Sequence, residues 1–352
     1  MEIADFKEVI DLIPRISTTR KYWLVRTQGG LYYDDFKTEN FIAIGYNQIN
    51  LIDINESRER VPNHPENFLS VIVKGKITDE KQPRYAAKQL LKFVYEIKKG
   101  DIVLIPSFNS RTVSIGEVTD SIVHLDNDAP NVTTPKGGSK KCPYIKRKPV
   151  KWLKEVKRAQ LDPLLYKLLF SHHFISDGSA YDNIIDNMLH DLYIKGREAY
   201  LVLDVATQRD ILARNLFDTG SQLLNIVDEY SAESDIEINS DGIDVKLALR
   251  SPGNIQLSGK QVTAILLIAL GILFINGGGF TSKKFGLSLK TNGLFKNLTE
   301  FLDGQHKREM KTQLLEENIK KLQVKSPDDL KKIMEALEIK ENNSKNSDVK
   351  ED

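Results

Sequence analysis

A single cysteine, Cys142, in 352 residues leaves no partner for an intramolecular disulfide and no basis for a Cys-rich zinc site, which suits a reducing cytoplasm. Net charge is nearly absent as well. Fifty Lys and Arg against 49 Asp and Glu give a formal +1, so bulk charge points to no particular partner and only local runs inform. The opening MEIADFKEVIDLIPR has acids early and no apolar core of signal-peptide type, so no secretory signal is expected. No internal repeat, P-loop, dinucleotide fingerprint, Gly-x-Ser-x-Gly elbow or zinc-protease signature occurs, and Asn276-Gly277-Gly278-Gly279 lacks the Lys and Ser/Thr of a phosphate loop. His172-His173 and His190-Asp191 do not make a metal site: adjacent histidines on a helix end point apart, unlike an i, i+4 pair.

What is present divides the chain. The length has room for two or three domains, and residues 1–158 read as a small β-rich domain. Ile3, Phe6, Val9, Ile10 and Ile13 recur at helical spacing and Pro14 ends that helix. KYWLVRT and FIAIGY then alternate as strands, RYAAKQLLKFVYEIKKG reads as a helix closed by Gly100, and DIVLIPS and TVSIGEVTD read as two more strands joined by the Ser107–Arg111 loop. YIKRKPVKWLKEV reads as a last strand running into a helix. Short strands around one helix suggest a small barrel.

The succession Trp23-Leu24-Val25-Arg26 with Gly29-Gly30, Ile44-Gly45-Tyr46, Gly100-Asp101-Ile102-Val103, Ile115-Gly116-Glu117-Val118 and Arg147-x-x-Val150-Lys151-Trp152 resembles the EVE-like domain of the PUA superfamily. Such domains stand at the N-terminus of Mrr-type restriction endonucleases and other bacterial defence proteins. The resemblance covers residues 1–155. It implies a DNA- or RNA-binding reader module in antiviral defence, one that holds a base, modified bases included, in an aromatic-lined pocket after flipping it from the helix. Residues placed for that pocket are Trp23 and Tyr46 on strands and Ser107, Phe108, Asn109 and Arg111 on the loop; Tyr46 stands where the family usually has Trp. Trp23 sits in an apolar alternation, so core and pocket both fit it.

From Lys136 to Arg158 there are ten Lys or Arg and one acid, Glu155, interleaved with Tyr144 and Trp152. This is the best electrostatic footprint for phosphate, through Lys140, Lys141, Lys146, Arg147, Lys148 and Lys151, and such contacts would weaken steeply with salt. A solvated loop followed by a helix face accounts for the same run equally well.

Residues 159–304 read as an α+β domain. LDPLLYKLLF and SAYDNIIDNMLHDLYIKG are expected as helices, the second started by Ser179, stopped at Gly196 and apolar along Ile184, Ile185, Met188, Leu189 and Leu192. A strand AYLVLDVAT, a helix RDILARNLFDTGSQLLNIVDEY and two strands about the turn Ser240-Asp241-Gly242 follow. A metal-dependent nuclease of the Mrr-like kind would need an upstream carboxylate and a strand bearing acid-x-Lys. Asp244-Val245-Lys246, with Asp235 or Glu237 upstream, is the candidate, and Mg²⁺ enters only with that reading.

Gln261–Ser282 holds no charge until its flanking lysines. Its apolar core, Val262–Ile275, is fourteen residues, about 21 Å as a helix against a hydrocarbon layer of about 30 Å. The length favours a buried helix over residues 261–276; the alternative is a single inner-membrane span over 262–280, anchoring a membrane-associated effector or scaffold. Residues 305–340 are charged amphipathic helices suited to pairing with a partner or a second copy, and 341–352 form a polar tail expected to be disordered. The fold class expected is α+β, a PUA/EVE-like small barrel followed by an α+β domain with one strongly apolar helix and a charged helical tail.

Overall fold

The computed structural model describes residues 3–130, 141–207, 212–234, 237–248, 253–277, 301 and 311–337. The chain is α+β and divides into two compact units, Thr19–Leu189 and Met1–Thr18 together with His190–Asp352. The boundaries differ from those expected at 158 and 304. The opening helix α1 (Ile3–Leu12) and strand β1 (Arg15–Ile16) belong to the second unit, because Phe6, Val9 and Ile13 are buried in its core and β1 pairs in parallel with β9 (Leu192–Lys195).

In the Thr19–Leu189 unit, β2 (Tyr22–Val25), β3 (Phe41–Ile44), β4 (Ile102–Pro106), β5 (Thr112–Val118), β7 (Lys146–Lys157) and β8 (Ile175–Asp177) make a curled half-barrel. Their order is β3-β7-β5-β4-β2-β8, with the short β6 (His124–Leu125) beside β7. The apolar strands YWLV, FIAI and IVLIP are buried at every residue, as expected for strands covered on both faces.

β7 continues as strand through KWLKEVK, where a helix was expected. Pairing with β5 from Thr112↔Lys157 to Val118↔Val150 overrides the helix propensity of that Lys/Glu-rich segment. The register shifts at Ile115/Gly116, which pair with Lys154 and Trp152, and Gly116 has no room for a side chain. A Cβ there would stand 2.6 Å from the Trp152 ring and 2.5 Å from Val150.

The barrel is not wrapped around one helix. Besides α5 (Pro83–Leu91), helices α2 (Tyr33–Thr38), α3 (Leu51–Arg60) and α4 (Pro65–Lys76) cover it. α3 begins in a reciprocal cap: the Asp53 backbone N–H donates to Asn50 Oδ1 at 2.8 Å and the Asn50 N–H to Asp53 Oδ2 at 2.9 Å. α4 and α5 each start on proline at the first turn. α5 ends in a wide turn over Lys92–Glu96. The unit closes with α6 (Leu165–Leu169) and α7 (Asp182–Leu189). The expected long helix from Ser179 stops at Leu189, since Leu192–Lys195 pairs as β9 with β10 (Glu198–Val205).

In the second unit the sheet order is β1-β9-β10-β12-β11, with β11 (Asp244–Ala248) at one edge and β12 (Gly253–Gly259) beside it. Of the two strands expected about Ser240–Gly242, β11 forms and residues 237–240 do not; Asp235 lies outside the described residues. Helix α8 (Ala213–Glu233), the apolar α9 (Val262–Gly277), the helix Lys311–Leu322 and helix 328–337 build the core with the sheet. α9 is buried on all sides, with Ala264 to Ile272 essentially inaccessible. Its sixteen residues span about 24 Å. Among the described residues no helix is long and apolar enough to cross a membrane; Gly278–Phe280, needed for the 262–280 span, lie outside them.

The C-terminal helices place Leu315, Ile319, Leu330, Ile333 and Met334 in the core of this unit, so the faces expected to serve a second copy are occupied within the chain. The tail 341–352 and residues 305–310 and 338–340 lie outside the described residues.

Candidate functional site

Strand geometry decides which basic residues face outward. β7 alternates, and Lys146, Lys148 and Val150 fall on its inward face. Both lysines are fully buried. Lys146 Nζ donates to the carbonyls of Tyr46 at 2.8 Å and Ile49 at 3.0 Å. Lys148 Nζ donates to those of Val94 at 3.2 Å, Ile97 at 2.5 Å and Ser121 at 2.6 Å, two of which close the wide turn after α5. Burial pushes both amines down to about 8.

Neither lysine can reach a phosphate, which corrects their expected role. Arg147 is also engaged: it pairs with Asp126 at 2.6 Å and lies 4.0 Å over the Phe41 ring. Of the six basic residues expected to meet phosphate, Lys141 and Lys151 are exposed, and Lys140 lies outside the described residues.

Trp23 is core. It is fully buried and its Nε1 donates to Asp101 Oδ2 at 2.9 Å. The Asp101 carboxylate also accepts the backbone N–H of Lys98 at 2.9 Å and of Lys21 at 3.1 Å. The Gly100-Asp101 motif is thus a structural clasp joining β2 to β4.

Tyr46 stands in a different environment. It leaves β3 in a left-handed conformation, φ 61°, and lines a cleft of about 370 Å³ with Ile77, Asp79, Glu80, Lys81, Gln82 and Tyr85. Burial, with the nearby Glu80 carboxylate, pushes its phenol up to about 12. Tyr85 also lines a second cleft of about 780 Å³, shared with Lys88, Gln89, Lys92, His173 and Asp177. Its ring lies 5.6 Å from that of His173, and its hydroxyl accepts the Phe174 backbone N–H at 2.8 Å.

Tyr144 continues the aromatic series. It meets Tyr32 edge-on at 5.2 Å and Phe174 at 6.1 Å, and its hydroxyl donates to Gln28 Oε1 at 3.3 Å. It lies against Gly45, where a Cβ would come within 3.2 Å of the ring. Two tyrosines, Tyr46 and Tyr85, line this cleft with the Glu80 carboxylate and the Gln82 amide, so aromatic surface and hydrogen-bonding groups share one lining.

The Ser107–Arg111 loop does not line the Tyr46 cleft. Ser107 Oγ accepts the Thr112 N–H at 2.9 Å and shapes the hairpin, Asn109 and Ser110 are left-handed, and Phe108 is 63% exposed. The Gln28–Gly30 turn joins the two regions, since Gln28 meets Tyr144 and Gly30 lies under the backbone of Phe108.

In the second unit, Asp244 and Lys246 lie exposed on edge strand β11, and Glu237 is exposed. Among the described residues no three His, Cys, Asp or Glu side chains gather as a metal cluster.

Tyr85, Glu80 and Phe174 escaped the sequence reading. A tyrosine on the half-exposed side of α5 was the one available signal, and it is lost among the apolar residues of that helix. Among known proteins, residues 21–173 match one family model, described as a domain of unknown function (DUF8426). No curated protein and no solved structure matches the chain, and the matched residues fall within the Thr19–Leu189 unit that carries the clefts.

Proposed function

We propose that the Thr19–Leu189 unit is a nucleic-acid reader that takes an exposed base, modified bases included, against Tyr46 and Tyr85. The second unit serves as its effector or interaction part. The observation that carries this reading is the cleft lined by both tyrosines together with Glu80 and Gln82. Its volume falls in the range of about 300–1,000 Å³ common to sites for small planar ligands. The setting, bacterial defence against foreign DNA, rests on the motif resemblance to EVE-like domains.

Exposed bases stacking on aromatic side chains contribute about 1–3 kcal/mol each, so Tyr46→Ala and Tyr85→Ala should each weaken oligonucleotide binding about 5- to 150-fold. Fluorescence anisotropy with labelled single strands and duplexes, plain and base-modified, tests this. Undiminished binding by both variants would remove the cleft from the reading.

A further inference from the structure

The same unit carries a second set of rings, exposed and beside arginine, outside the lining of the Tyr46 cleft. Phe108 and Phe170 are each 63% exposed and Leu164 64%. Arg158 ties their two segments together. Its backbone N–H donates to Arg111 O at 2.8 Å, its Nη1 to Asn109 O at 3.5 Å, and its guanidinium lies 4.9 Å from the Tyr166 ring and 5.6 Å from that of Phe170. Arg111 and Lys157 are exposed beside it. The one acid of this stretch, Asp162, turns its carboxylate to the Leu164 N–H at 2.9 Å.

These rings join the cleft by a held backbone. Arg26 donates to the carbonyls of Leu169 and Ser171, and its N–H to Phe174 O at 2.9 Å. Segment 170–174 therefore presents Phe170 at one end and His173 and Phe174, which meet Tyr85 and Tyr144, at the other. Large exposed rings on a pinned backbone, interleaved with cations, suit a chain of stacked bases with phosphates between them.

We infer that Phe108, Arg158 and Phe170 form a stacking platform for nucleotides flanking the one in the cleft, so that the ligand is a single-stranded nucleic acid rather than a mononucleotide. The inference rests on the proposed reader function and names the ligand class for it. Bases stack on Phe108 and Phe170, and Arg111, Arg158 and Lys157 take the phosphates.

The test compares binding of the full chain to labelled single strands of two to twelve nucleotides, to a duplex and to a mononucleotide, across a salt series. Affinity should rise with length and exceed that for duplex. The Phe108→Ala/Phe170→Ala double variant should lose at least tenfold on the longest strand while matching the wild type on the dinucleotide. Arg158→Ala should lower the salt slope by about one. Both rings are solvent-exposed, and an unchanged thermal melt confirms a folded variant.

Length-independent binding, preference for duplex, or a double variant that binds the longest strand like the wild type would overturn the platform. Were Tyr46→Ala and Tyr85→Ala silent while the Phe double variant weakened binding, the cleft would fail and the platform would stand.

Discussion

Lys146 and Lys148, two residues apart on β7, point the same way into the interior, and each ends among backbone carbonyls that no other side chain is shown to serve. They act as internal fasteners: one holds the loop before α3, the other the turn after α5. Methionine at position 148 keeps the stem but removes the donor, leaving polar groups buried without a partner. Lys148→Met should destabilise the unit by on the order of 3 kcal/mol, read by urea unfolding, while leaving the salt slope of any nucleic-acid binding unchanged.

The pH dependence of stability should be bell-shaped in the alkaline range. Burial holds both lysines near 8 against an ordinary 10.5. From about pH 8 upward the unfolded chain then binds more protons than the folded one, and stability rises. Cys142 and Tyr46 work in the opposite sense. Burial raises them from 9.0 and 10.0 to about 12, so above pH 9 to 10 the folded chain keeps protons there that the unfolded chain sheds; this opposes the lysines and outweighs them above about pH 10. Chemical denaturation at half-unit steps from pH 7 to 11 should show a maximum near pH 10, and the Lys146→Met/Lys148→Met variant should lack the rising limb.

Gly30→Ala should fail in a specific way. The residue has φ +95°, and a Cβ would stand 2.2 Å from Phe108 N and 2.3 Å from Phe108 Cα, both backbone atoms. Strain and clash together should cost at least about 2 kcal/mol and displace the loop that carries Phe108. Weaker binding of long strands should accompany a lowered melting temperature, with the dinucleotide less affected.

In the second unit, Asp191 caps helix 328–337 from a distant part of the chain, accepting the backbone N–H groups of Asp328 at 2.5 Å and Asp329 at 2.9 Å. Asp329 returns the contact, accepting the Asp191 N–H at 3.1 Å. Asp191→Ala should cost about 1–2 kcal/mol, as loss of a helix cap does. Hydrogen exchange should quicken first in 328–337, and slow exchange there in the variant would show that core packing alone holds the helix.

Leu267, at the centre of α9, is wholly buried. Leu267→Ala should cost about 2–5 kcal/mol. Tryptophan fluorescence separates its effect: both tryptophans, Trp23 and Trp152, lie in the Thr19–Leu189 unit. The far-ultraviolet circular dichroism melt should therefore shift more than the fluorescence melt.

The apolar strands were legible because unbroken apolar runs of that length are buried on both faces, and α9 because its fourteen-residue apolar core falls short of a hydrocarbon layer. KWLKEVK misled because a Lys- and Glu-rich run suits an exposed helix, and only its register against β5 makes it strand. LYIK was read into the preceding helix because Leu192 continues the apolar spacing of Ile185 and Leu189; its pairing partners lie in β10 and, far back in sequence, β1. Helices α3 and α4 escaped because few of their residues are buried, Ile54 and Ser57 in one and Leu69 and Val73 in the other.

Of the two tyrosines that line the cleft, Tyr46 was singled out by the Gly45-Tyr46 motif and Tyr85 by nothing in the sequence. For the basic run, composition registers charge but not direction. The two-residue period of β7 turns Lys146 and Lys148 inward and leaves Lys151 outside.

The pairing of β1 with β9 makes the Thr19–Leu189 unit an insertion within the other. A ribosome delivers α1 and β1 before the Thr19–Leu189 unit, yet the strand and core residues they pack with emerge only after that whole unit has been made. The inserted unit can therefore complete its core co-translationally, while the first eighteen residues wait without theirs. A destabilised Thr19–Leu189 unit would therefore prolong the interval before α1 and β1 meet their partners, although no residue of the interrupted unit is changed.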